Sequence, residues 1–217
     1  MNTSTIITRV NQLINAVEKA DSAPKLYEAV VELANSKSVE AIPTLIQVLG
    51  YNNPGAAVAA TEGLIALGES VIEPLLRSLD NYNYGARAWA VRVFAGIGDI
   101  RALDLLTLSA LNDFSLSVRR AATKGLGNLQ WHQLSSENII IIQTQVLETL
   151  LVTANDGEWV VRYASIVSLE DLYQSIDSTY QDLLLKIIHT LKEIITIDAE
   201  IAIQSRAKLA LKKIDNK

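Results

Sequence analysis

The chain contains no cysteine among its 217 residues. Disulfides, thiolate metal sites and a cysteine nucleophile are therefore excluded, and a reducing cytoplasm is the simplest home. Two histidines, His132 and His189, lie in separate segments and are too few for a histidine-based zinc site, so no metal is expected. Four prolines, ten glycines and 6% aromatic residues leave little material for turns and strands. There is no basic surplus either. The net charge is -5 with charges of both signs well mixed, which argues against nucleic acid as a partner. Long apolar runs are missing as well: Ile139 to Ile142 is soon interrupted by Gln143, Gln145 and Glu148, far short of the ~20 residues of a membrane span. Met1 to Asn11 shows neither a continuous apolar core nor a small-residue cleavage site, so secretion is not expected. Common catalytic signatures are absent: no G-x-S-x-G, no P-loop, no H-E-x-x-H. The doublets Gly96-Ile-Gly98 and Gly125-Leu-Gly127 lack a third glycine and a preceding strand, so they read as helix packing or helix ends.

What the chain does have is helix-forming material in a repeating pattern. Ala56 to Gly68, Ala86 to Gly98, Val118 to Leu129 and Val161 to Leu172 align with small residues at fixed offsets and a closing aliphatic. Each has an apolar-periodic segment upstream, such as Ile42-Pro43 with Leu45, Ile46 and Leu49, or Ile72 to Pro74 with Leu75, Leu76 and Leu79. Proline is tolerated in a first helical turn, where its missing N–H would have had no intrahelical partner. The register predicts helix pairs over about 3–36, 38–68, 70–98, 99–131, 135–175 and 178–215, with boundary errors of about 2 to 4 residues. Ser70 with Glu73 and Ser178 with Gln181 have capping-box spacing. The expected fold is all-α: a right-handed α-α superhelix, or solenoid, of about six short HEAT-like hairpins forming one domain over 1–217. The inner helices of such a stack line a concave surface suited to binding.

Function must come from side chains on that scaffold. An acidic residue in the turn is followed by an arginine early in the second helix: Asp113 with Arg119 and Asp156 with Arg162, each six apart, and Asp80 with Arg87, seven apart. One reading is structural, with the carboxylate capping the helix and holding the guanidinium across the turn. The other is that some of these arginines face the groove and clamp a carboxylate-bearing ligand. Arg92 and Arg120 stand outside the pairing. Aromatic residues gather where helix pairs turn: Tyr82, Tyr84 and Trp89, then Trp131 beside His132, then Trp159 and Tyr163. Trp89 occupies a position that other repeats fill with Ala121 and Ala164; it either fills a core gap or forms a platform for a flat ligand or partner. The segment holding Ile139 to Ile142, Val146, Leu147, Leu150 and Leu151 has more apolar surface than one core requires. Burial between two neighbouring units and docking of a partner both account for it.

Val118-Arg119-Arg120-Ala-Ala122, Val161-Arg162-Tyr163-Ala164 and Gly125 to Leu134, with its Trp131-His132-Gln133 segment, resemble the phycobilin lyase HEAT-like family over essentially the whole chain. The resemblance implies one subunit of a heterodimer, paired with a larger HEAT-like subunit in cyanobacterial cytoplasm. Such a pair binds phycocyanobilin as substrate, with no prosthetic group, and delivers it to a cysteine of the phycocyanin alpha subunit. Relatives that also isomerise the bilin carry a His-Cys pair near this region, so a chain with His132 and no cysteine is expected to ligate without isomerising. Thioether formation adds the acceptor thiol across an ethylidene double bond, so the enzyme's task is orientation and proton transfer. Under this reading Arg87, Arg92 and Arg120 are candidates for the propionates, Tyr84, Trp89 and Trp159 for the ring system, and Arg162 for a further contact with the bilin. Asp156 or a carboxylate of the larger subunit is a candidate for the pyrrole N–H groups, and His132 for relaying a proton or, alternatively, capping the helix that ends near Trp131. The alternative function is a non-catalytic HEAT adaptor that grips phycobiliproteins or other protein partners.

Overall fold

The computed structural model describes residues 3–79 and 84–216. Among them are twelve α-helices and no strand, in six consecutive pairs: α1 (Thr3–Glu18) and α2 (Ala23–Asn35); α3 (Ile42–Val48) and α4 (Pro54–Leu67); α5 (Ile72–Ser78) and α6 (Tyr84–Ile97); α7 (Leu103–Asn112) and α8 (Leu116–Gly127); α9 (Ser136–Thr153) and α10 (Trp159–Ser175); α11 (Gln181–Ile197) and α12 (Ile201–Asp215). These match the six pairs expected from the repeat register. Asp80 and Tyr82 lie outside the described residues.

The chain divides into two compact units, Met1–Ile97 and Gly98–Lys217. In the first, α4 packs between α2 and α6. In the second, α10 packs between α8 and α12, while α9 contacts α7 and α11. The second helices thus form one layer of each unit and the first helices the other. Small residues let the second helices approach closely. A Cβ on Gly63 would sit 2.6 Å from Ala34 Cβ, one on Gly96 2.4 Å from Ile65 Cδ1, and one on Gly127 2.6 Å from Ser168 Cα. The glycine doublets therefore serve helix packing. Gly98, at φ 73°, also ends α6, where a Cβ would lie 2.1 Å from the Asn128 carbonyl oxygen.

Local signals explain most helix starts. Pro43 stands in the first turn of α3. Asn53 caps α4 by accepting from the Ala56 N–H at 3.1 Å, and its amide donates to the Ala23 carbonyl at 3.1 Å, fixing α4 beside the start of α2. The capping boxes expected at Ser70 and Ser178 do not form. Ser70 belongs to a 3-10 turn, Gly68–Val71, that runs straight into α5, so backbone carbonyls already serve the N–H groups that a cap would take. Before α11 the acceptor is Asp177, which takes the Thr179 N–H at 2.9 Å and its hydroxyl at 2.7 Å.

By length and composition Pro54–Ser78 is the one helical stretch among the described residues apolar enough to cross a membrane, with a mean hydropathy of 1.4. It is two helices, not one: Gly68, at φ 64°, separates α4 from α5. Its apolar side chains serve the core, where Ala56, Ala57, Ala60, Leu64, Ile72 and Leu75 are buried. On α9, Val146, Leu147 and Leu150 are fully buried while Ile141 is 63% exposed. Contact with both flanking hairpins accounts for most of that helix's apolar surface.

Candidate functional site

Three turns of the second unit share one construction. Asp113, Asp156 and Asp198 each accept, through one carboxylate oxygen, the backbone N–H two residues on, at 2.8, 2.8 and 2.9 Å. Each thereby closes the turn that begins a second helix. Six residues after the first two aspartates, a guanidinium reaches back: Arg119 Nη1 donates to the Asp113 carbonyl at 2.9 Å, and Arg162 Nη1 to the Asp156 carbonyl at 3.0 Å. The carboxylate partner lies in the next hairpin. Arg119 grips Asp156 with Nε and Nη2 at 2.8 and 3.0 Å, and Arg162 grips Asp198 at 2.7 and 3.0 Å. Spacing alone suggested that each aspartate holds the arginine of its own turn; instead the pairs run from hairpin to hairpin as a ladder. It ends at Gln204, six residues after Asp198, whose neutral amide donates only to the Asp198 carbonyl at 2.8 Å. A further arginine there would have no following carboxylate among the described residues.

The ladder is half-buried to buried, with side-chain exposures of 17% and 12% for Arg119 and Asp156, and 15% and 7% for Arg162 and Asp198. Burial pushes the Asp156 carboxyl up, but the Arg119 hydrogen bonds and the Glu158 N–H outweigh it and leave it below the usual carboxylate range. Asp198 is lowered chiefly by Arg162. Asp156 and Arg162, both expected at a ligand, are thus committed to each other's neighbours in the ladder.

Arg120, one residue beyond Arg119, is turned about 100° round the helix and is exposed. With Trp159, Val160 and Tyr163 of α10 it lines a shallow recess of about 250 Å³. Trp159 and Tyr163 stand four residues apart on one helix face, 47% and 39% exposed. The recess therefore joins two of the expected residues, Arg120 and Trp159, with two that the sequence reading left outside its site, Val160 and Tyr163. Helical spacing from Trp159 was the signal that could have added Tyr163.

In the first unit, α6 carries two cation–aromatic pairs. The Arg87 guanidinium carbon lies 5.3 Å from the centre of the Tyr84 ring, and that of Arg92 lies 4.6 Å from Trp89. Arg92 also donates to the Ala88 carbonyl at 2.8 Å. Tyr84 is exposed and Trp89 half-buried; the indole is neither a core filler nor a bare platform, since a guanidinium lies over it.

His132 is exposed in a 3-10 turn, Trp131–Gln133. It caps no helix: α8 ends five residues earlier, at Gly127, and Asn128 takes the capping position there. Gln133 anchors the turn by accepting the Ile100 N–H at 2.9 Å and reaching Asp99 at 3.4 Å. Asp99 is 1% exposed and held by Arg101 at 2.9 and 2.7 Å. Arg101 accordingly lowers the Asp99 carboxyl below its ordinary range. No group of metal-ligating side chains occurs among the described residues.

No family model matches the chain. Individual proteins do. It is 51% identical over 201 residues to the phycocyanobilin lyase subunit beta of Nostoc sp., covering 92% of this chain and 98% of that one. It is 54% identical over 169 residues to the phycocyanin alpha phycocyanobilin lyase CpcF of Synechocystis sp., covering 78% and 79%. Among solved structures, a chain of the complex of CpcE and CpcF of phycocyanin lyase from Nostoc sp. superposes with a TM-score of 0.74 at 49% identity, covering 80% of this chain and 99% of that one. A designed armadillo repeat protein, 18% identical over 94% of this chain with a TM-score of 0.58, shares the fold alone. With matched repeats, a shared solenoid fold and about half its residues identical across nearly the full length of a relative, this chain belongs to the phycocyanobilin lyase beta subunit family.

Proposed function

We propose that this chain is the smaller subunit of a heterodimeric lyase. With a larger HEAT-like subunit, it attaches phycocyanobilin through a thioether bond to a cysteine of the phycocyanin alpha subunit in cyanobacterial cytoplasm. The observation that carries this reading is the 51% identity extending over 98% of the Nostoc beta subunit. The reaction asks for little covalent chemistry from the enzyme. The acceptor's thiol sulfur bonds to the ethylidene carbon, the C=C double bond becomes single, and the thiol proton ends on the adjacent carbon. Orientation and a proton path suffice. Without cysteine, the chain ligates the bilin and does not isomerise it.

The recess of α8 and α10 suits part of such a substrate. Arg120 offers a guanidinium to a propionate, and Trp159 offers a ring face to the conjugated system. A volume of about 250 Å³ falls below the ~300 to 1,000 Å³ of pockets that enclose a small molecule. It holds a portion of the tetrapyrrole, and the larger subunit supplies the rest. Tyr84, Arg87, Trp89 and Arg92 form a second basic and aromatic surface on α6. His132 is the proton relay. Asp156 and Arg162 act on the bilin through the ladder that fixes the start of α10, and hence Trp159. All 217 residues work as one repeat domain.

Single substitutions test the assignment in cells supplying the larger subunit, apo phycocyanin alpha and phycocyanobilin. Trp159→Ala and Arg120→Ala should each lower attached chromophore about tenfold or more with the chain still folded. Normal attachment by both would remove the recess from the site. Normal attachment by both Trp89→Ala and Arg92→Ala would likewise remove α6.

A further inference from the structure

Behind the recess lies a charged cluster that neither the repeat pattern nor the ladder requires. Arg206 on α12 is 8% exposed, and its guanidinium carbon is 5.9 Å from the centre of the Tyr163 ring. Nη2 comes within 2.8 Å of Glu170 Oε2, an ion pair set off the hydrogen-bond axis. Nη1 and that carboxylate oxygen complete no hydrogen bond. Glu170, 6% exposed and two turns beyond Tyr163 on the same side of α10, also accepts from Lys213 Nζ at 2.7 Å. Two cations thus meet at one buried carboxylate, and Asp171 is a further acidic group whose charge acts on both. By repeat register, Arg206 stands where α8 and α10 have Ala121 and Ala164. Packing alone does not account for an arginine there, because an apolar side chain of similar length would avoid burying an incompletely bonded cation.

We propose that Tyr163 is a bilin-stacking residue and that Arg206, held by Glu170, is the residue that positions and polarises it. This rests on the recess being the bilin site. A guanidinium against a phenol ring withdraws density from its π face, and a less negative face stacks better on an electron-rich conjugated system. Tyr163 and Trp159 then form a two-ring wall, with Arg120 at its edge and Arg206 behind it.

The test uses the full chain in complex with its larger subunit, titrated with free phycocyanobilin and followed by visible absorption and induced circular dichroism. Tyr163→Leu, and Arg206→Met combined with Glu170→Gln so that no charge is stranded, should each weaken binding about tenfold and alter the induced dichroism of bound bilin. Tyr163→Phe, which keeps the ring, should bind normally. Trp159→Ala serves as the reference. Where it weakens binding while Tyr163→Leu and the paired variant bind as the parent does, this inference is overturned and the recess stands. Where Trp159→Ala also binds normally, the recess reading fails and the inference fails with it. Should the paired variant not assemble with the larger subunit, Arg206→Lys decides: unchanged affinity and dichroism refute the role of Arg206, and loss of both supports it.

Discussion

Arg119 and Arg120 are neighbours in the chain with different surroundings. The first has both faces of its fork filled by Asp156 and two backbone carbonyls; the second is exposed at the recess. Arg119→Ala should therefore act on stability, lowering it by roughly 3 kcal/mol because it strands a largely buried carboxylate. Urea unfolding measures this. Arg120→Ala should leave the urea midpoint unchanged and lower chromophore attachment. The arginine-paired aspartates also set the acid response. Asp99, Asp156 and Asp198 all have carboxyls lowered by folding. Their contribution is complete above the unfolded value of about 4 and is lost as pH falls through the lower folded values. The urea midpoint should fall steeply below about pH 4, and less steeply in Asp156→Asn, which has already lost one such carboxylate; an identical pH slope in that variant would contradict this account. The Asp–Arg spacing of six was plain in the sequence, but the direction of pairing was not. A carboxylate 37 residues away becomes the partner only once hairpins are stacked, and nothing local distinguishes it from the one in the same turn.

Glycines show at the level of helices which contacts are tight. A Cβ on Gly127 would meet the backbone of Ser168, and one on Gly98 would meet a carbonyl oxygen at positive φ. Gly157 has nothing within 4 Å and no positive φ. Gly127→Ala and Gly98→Ala should each cost about 1 to 3 kcal/mol through overpacking or strain, whereas Gly157→Ala should change stability by less than about 0.5 kcal/mol. Thermal unfolding of the three variants checks the ordering. Helix existence was readable because apolar positions recur every three to four residues and because proline, asparagine and glycine stand at the ends. The helix starts differ from the capping-box spacing at Ser70 and Ser178 for a physical reason: a 3-10 turn runs straight into α5, and α11 begins at Gln181 with Tyr180 at its cap, so Ser178 stands two residues too early. His132 was misplaced similarly, because α8 ends at Gly127 and a separate turn follows.

For the whole molecule, repetition made the architecture legible: six hairpins follow from small residues in register, since no single hairpin can bury its own apolar stripe. The recess was only partly legible. Arg120 and Trp159 belong to different hairpins 39 residues apart, and their meeting depends on α8 lying beside α10. Tyr163 was within reach through its spacing from Trp159, whereas Arg206 was not, because its contact crosses from α12 to α10. The proposal of one domain over 1–217 predicts a single calorimetric transition whose van't Hoff and calorimetric enthalpies agree. Two separated transitions would overturn it. The most direct test of the central claim is covalent chromophore on phycocyanin alpha, read by zinc-induced fluorescence after denaturing electrophoresis, when this chain, the larger subunit and phycocyanobilin are supplied together and with each omitted in turn. The lyase account predicts a fluorescent alpha subunit only when both subunits are present. Stable binding of this chain to phycocyanin without covalent attachment under any combination would contradict it and favour the adaptor reading.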